Sequence, residues 1–152
     1  MVAVAYIAGA PVAGWLADRY GILRVLRIMS LVYGGGLLVG AFVHTLTPLL
    51  IGLPFVALAG AIVLTLPQAL AFTLAPRGSE GAAAGLLDFS RGIGVVLGPV
   101  AVGAAIGIAE PLFESTKGYG VMWPAIGLPV LLAAFLLKPL DATLGDEILA
   151  TT

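Results

Sequence analysis

Gly14-Trp15-Leu16-Ala17-Asp18-Arg19-Tyr20-Gly21 decides the fold of this chain. It places an acid, a base and two glycines in the first polar turn of a sequence that is otherwise mostly lipid-soluble. Met1 to Ala17 carries no charge, and from Ile28 to Ala75 the only acid or base is His44. A charged turn between apolar runs of this length reads as the aqueous loop of a membrane protein.

Composition supports that reading. Hydrophobic residues make up 61% of the 152 residues and charged residues 10%, against about 25% charged in a soluble domain. Mean hydropathy is +1.14. So little polar surface cannot cover a water-soluble globule. A net charge of −1 gives nucleic acid no electrostatic hold. The absence of cysteine excludes disulfides, thiolate metal sites and thiol nucleophiles, and one histidine cannot build a metal centre. No lysine or arginine precedes the first apolar run, so it reads as a shortened membrane helix and not as a signal peptide.

A crossing helix needs roughly 20 apolar residues. Five segments qualify: Val2 to Ala17, Leu23 to Val43, Pro48 to Leu74, Ala82 to Ala109, and Tyr119 to Leu137. The expected fold is an all-α polytopic bundle over residues 1–138, followed by a short acidic tail at 139–152. His44 to Pro48 forms a tight turn, with Pro48 suited to a helix start. Ala75 to Gly81 is the next turn, and Glu110 to Gly118 is the longest loop. Arg19, Arg24, Arg27, Arg77, Arg91 and Lys138 fall on one side of a five-span arrangement and Lys117 alone on the other. This asymmetry predicts a multi-pass protein of the cell membrane with the first loop, the third loop and the C-terminus in the cytoplasm. Pro54, Pro67, Pro99, Pro124 and Pro129 lie inside spans, where each removes a helix hydrogen bond and favours a kink. Such bending suits a protein that opens and closes a cavity.

Gly14-x-x-x-Asp18-Arg19-x-Gly21 resembles the cytoplasmic loop signature of the major facilitator superfamily of transporters. The family's fuller signature has basic residues directly after the last glycine. Here Ile22 and Leu23 stand there, and Arg24 and Arg27 follow. Gly85, Gly94, Gly98-Pro99 and Gly103 are similar in spacing to the glycine-proline motif of the fifth helix in its drug antiporters, with Val102 in place of one glycine. An arginine expected within the fourth helix of an antiporter is absent from the third span. On these residues the chain resembles helices eight to twelve, the C-terminal part of a transporter. The resemblance implies a partial or truncated protein that supplies one wall of a cavity, completed by an N-terminal half or by self-association.

The resemblance further implies that Gly14, Asp18, Arg19 and Gly21 form a latch that holds the cytoplasmic face closed; the alternative is a solvated loop that only orients helices. Asp88 and Arg91 are three apart and share a helix face, with Asp88 about 10 Å into the helix from Gly81. They read either as a gate or proton-linked pair, or as a neutralised pair reaching for headgroup water. Gly94, Gly98, Pro99 and Gly103 read as a packing and hinge stripe. Thr65 and Gln68 either hydrogen-bond across helices or line a pore. His44, Trp15, Trp123 and Tyr119 suit interfacial positions.

Ser30, Ser79, Ser90 and Ser115 have no histidine in reach at a plausible depth, and no phosphate-binding glycine loop follows a strand. No enzyme, cofactor or metal is therefore expected. The expected function is secondary active transport of a small solute, with or without a coupling ion, by alternating access. The alternative is a non-transporting membrane subunit or scaffold.

Overall fold

The computed structural model describes residues 2–43, 45–111 and 119–150, with the side chains of 2–6, 8, 46, 49 and 138 onward left aside. His44, Ser115 and Lys117 lie outside the described residues, as does the greater part of the Glu110–Gly118 loop. Five helices make up nearly all of the rest: α1 Val2–Tyr20, α2 Ile22–Gly40, α3 Leu46–Leu74, α4 Glu80–Ala109 and α5 Met122–Ala150, the last preceded by a 3-10 turn at Tyr119–Val121. No strand occurs among the described residues. Four stretches are long and apolar enough to cross a bilayer: Ile22–Gly40, Leu50–Leu74, Glu80–Ala109 and Tyr119–Leu137.

The helix ends follow local chemistry. α1 does not stop at Ala17, as its loss of hydropathy predicts, but carries Asp18 and Arg19 on its last turn. Gly21 ends it, with φ 87° and ψ 139°. The Gly21 N–H donates to the Ala17 carbonyl at 2.9 Å, and the Gly21 carbonyl accepts from the Val25 N–H at 3.1 Å. One residue thus closes α1 and opens α2. Pro48 occupies the third position of α3, where a missing N–H costs nothing. α3 ends before Pro76. The following turn is closed by the Ser79 hydroxyl on the Pro76 carbonyl at 2.7 Å and by Glu80, whose carboxylate accepts from the Gly78 N–H at 3.2 Å. Gly78 takes φ 88°, a left-handed value that suits glycine. α5 continues past Leu137 to Ala150, so the acidic tail is helical as far as that residue.

Consecutive helices alternate in direction. α2 packs most extensively on α5, α1 packs on α3, and α3 also packs on α2. α4 touches α3 and α5 only lightly and is the least buried of the four membrane-length stretches. α2 and α5 approach backbone to backbone. A Cβ added to Gly127 would lie 3.0 Å from the Gly34 carbonyl oxygen, and one added to Gly34 would lie 2.8 Å from Leu131. On α1, a Cβ at Gly9 would collide with Ala61 of α3. Small residues at these crossings let backbones meet where hydrocarbon supplies no hydrophobic drive.

Directly beneath the α1–α2 joint, Ala13, Ala17, Val25, Leu26, Ile62 and Leu66 form one buried cluster. Ile62 is 0% exposed. Ile62→Ala is expected to destabilise the bundle by on the order of 2 kcal/mol through the cavity alone. The transfer contribution largely falls away, because hydrocarbon surrounds the bundle in both states. A lowered midpoint of denaturation in mixed micelles would register it, and an unchanged midpoint would show that the site collapses around the gap.

Candidate functional site

The four signature residues end up in different settings. Gly14 lies within α1, exposed, with open space where a Cβ would go, so it is part of the helix and not of the turn. Gly21 is the turn. Arg19 sits on the last turn of α1, where the helix dipole favours a cation. Its guanidinium lies 5.6 Å from the centre of the Trp15 ring and 5.8 Å from that of Tyr20, within cation–π range. Trp15 is therefore a partner of Arg19 as well as an exposed aromatic residue at a helix end. Asp18 is exposed, and no hydrogen bond or ion pair to another described residue holds its carboxylate. Among the described residues the charged member of this set without a partner is thus an acid, at the joint where Arg24 and Arg27 open α2.

Asp88 and Arg91 are brought together as their spacing predicts. Arg91 Nη1 lies 3.8 Å from Asp88 Oδ1, a loose pair with the aspartate side chain 75% exposed. The shorter interaction of Arg91 runs to a different helix: Nη2 donates to the backbone carbonyl of Leu64 on α3 at 2.8 Å. A side-chain pattern gives no sign of this acceptor. The nearest sequence signal is Pro67, whose missing N–H frees the carbonyl of Val63, the neighbour of Leu64.

Thr65 does not reach across helices. Its hydroxyl donates within α3, to the Ala61 carbonyl at 3.0 Å and the Ile62 carbonyl at 3.2 Å, the back-bonding habit of threonine in helices. Gln68 is exposed and makes no hydrogen bond from its side chain among the described residues. Gly94, Gly98, Pro99 and Gly103 all lie inside α4. A Cβ on any of the three glycines would meet nothing within 4 Å, so the stripe has no packing partner among the described residues. The close glycine contacts belong to α1, α2, α3 and α5. Trp123 packs over Gly40, where an added Cβ would lie 3.3 Å from its ring. It lines an apolar cleft of about 230 Å³ with residues that include Pro48, Leu53 and Val56. Tyr119 is exposed. Ser30 is the one buried polar residue among those described, facing the Pro67 region of α3 across a crevice.

Membrane-length helices that alternate in direction, with apolar side chains such as Phe135 at 67% exposure, define a multi-pass α-helical membrane protein. Within that class the chain belongs to the Major Facilitator Superfamily, whose family model matches residues 1–148. No curated protein and no solved structure matches the chain. The family is one of transporters.

Proposed function

We propose that the protein carries a small solute across the cell membrane by alternating access, as one wall of a path that further helices complete. The observation that carries this reading is α4: a helix of 30 residues whose glycine-rich face and Asp88 carboxylate are left uncovered. A carboxylate that deep in a span belongs against a water-filled cavity or another polar group, not against lipid. Helices brought by an N-terminal half or by a second copy would enclose that face. The placement of α1 to α5 as helices eight to twelve is part of the proposal, supported by Ile22 and Leu23 after Gly21. So is the orientation with the α1–α2 joint, the α3–α4 turn and the C-terminus in the cytoplasm. It is supported by Arg19, Arg24, Arg27 and Arg77, which cluster at one end of the bundle.

In this scheme Asp18 is the free half of a cytoplasmic latch, its partner supplied by the enclosing helices. A carboxylate bonded to a cation or a helix N-terminus would release when that face opens. Flux in everted vesicles tests both ideas, with this chain expressed alone and together with a matching N-terminal half. Gradient-driven uptake that requires the partner is the expected result. Asp18→Asn should then lower uptake markedly at unchanged membrane abundance. Uptake equal to wild type removes the latch, and no flux in either arrangement, with insertion demonstrated, favours a scaffold.

A further inference from the structure

We infer that Arg91 is a positioning residue that holds α4 against α3 by capping the backbone of α3 at its proline-weakened turn. Three observations converge on it. Pro67 has no N–H, so the carbonyl four residues back, at Val63, loses its rung in α3, and the ring opens the turn in which Leu64 lies. The Leu64 carbonyl, next to the one freed by Pro67, keeps the Gln68 N–H as its helical donor and has a second lone pair to offer, in a medium where lipid supplies no donor. Arg91 reaches across from α4 to the Leu64 carbonyl at 2.8 Å, a span of 27 residues in sequence. Finally, α4 has almost no other hold on the bundle along its middle. A Cβ added to its glycines at 85, 92, 94, 98 or 103 would meet nothing within 4 Å, and its contacts with α3, α5 and the 3-10 turn before α5 are light.

A guanidinium suits this task. It is permanently charged and carries several donors in a fixed fork, so it can cap a carbonyl with one edge and keep another toward Asp88. Asp88 at 3.8 Å lies beyond hydrogen-bond distance. The carbonyl and not the carboxylate therefore sets where the guanidinium rests. Arg91 thus serves as a tether between two helices, and Asp88 stays available for other partners. This deepens the transport reading, since α4 would swing about the tether when a cavity opens, yet the tether itself is testable without any transport.

The chain has no cysteine, so spin labels attach only where cysteines are introduced. Labels at Phe55 on α3 and Val100 on α4, both exposed, report the separation of these helices in the full chain in lipid nanodiscs. Labels at Val32 on α2 and Leu132 on α5 report whether the remaining bundle is intact. The background with Arg91 unchanged should give a single narrow α3–α4 distance. Arg91→Met should lose that narrow peak while the α2–α5 distance stays put. Arg91→Lys, which retains a donor for the carbonyl, should restore most of it, and Asp88→Asn should leave it unchanged. An unaltered α3–α4 peak in Arg91→Met overturns the tether. So does equal broadening in Asp88→Asn, which would assign the positioning to the ion pair. Loss of flux with the tether intact would instead count against the transport reading.

Discussion

Gly127→Leu is expected to force α2 and α5 apart and to give one of the largest losses of stability available in this chain. The glycine sits where α5 crosses α2, and a Cβ there would already stand 3.0 Å from the Gly34 carbonyl oxygen, 3.4 Å from Leu37 and 3.4 Å from Leu38. The nearest obstacle is backbone, which cannot change rotamer. Leucine adds three more carbons beyond the Cβ, so the helices must separate or shift along one another. Overpacking of this kind costs about 1–3 kcal/mol and occasionally more. This pair is the most extensive interface in the bundle, so the upper part of that range is expected. Gly127→Ala should fall between wild type and leucine. Gly94→Leu is the matched control, because nothing lies within 4 Å of a Cβ there. Denaturation midpoints in mixed micelles decide the matter. Equal midpoints for Gly127→Leu and Gly94→Leu would mean that the α2–α5 crossing is not held by close backbone approach.

Gly21→Val is the second large effect, and its cause is different. No neighbour lies within 4 Å of a Cβ at Gly21, so crowding is not the issue. The backbone is: φ 87° with ψ 139° is close to the region open essentially to glycine alone. Holding a β-branched residue there costs about 1–3 kcal/mol. The joint would relax by moving Gly21 to negative φ, which turns α2 away from its seat over Ala17 and Leu66. Reduced stability and faster proteolysis between α1 and α2 are expected. Gly14→Val is the informative comparison, since the other signature glycine is helical, exposed and unobstructed. If the two valines behave alike, backbone conformation at Gly21 is not what the joint depends on.

The spans were legible because hydropathy is a property of whole segments, and five apolar stretches became five helices. Their ends were less so. Asp18 and Arg19 look like loop residues, yet they ride on the last turn of α1, because a helix stops where its backbone is redirected and not where its side chains become charged. Gly21 was the residue that mattered. The pairing of Asp88 with Arg91 was readable from their spacing along one helix. The acceptor at Leu64 was not, because a carbonyl belongs to every residue and only the tertiary fold selects one. Glycine content gave a similar difficulty. Gly94, Gly98 and Gly103 are spaced like a packing stripe, but a Cβ on any of them would meet no neighbour, whereas Gly34 and Gly127, with no comparable pattern, bring two backbones together. Which glycine is pressed against a backbone depends on crossing points that no single helix encodes.

The α1–α2 joint also bears on how force would travel through the molecule. Gly21 shares hydrogen bonds with Ala17 on one side and Val25 on the other, so there is no slack segment between the two rods. A longer linker would absorb a displacement of α1. A single residue bonded in both directions transmits it, and α2 in turn is seated on α5. A push on the Gly21 end of α1 is therefore expected to reach α5 through α2 as a tilt, in the manner of a bell crank pivoting on one glycine.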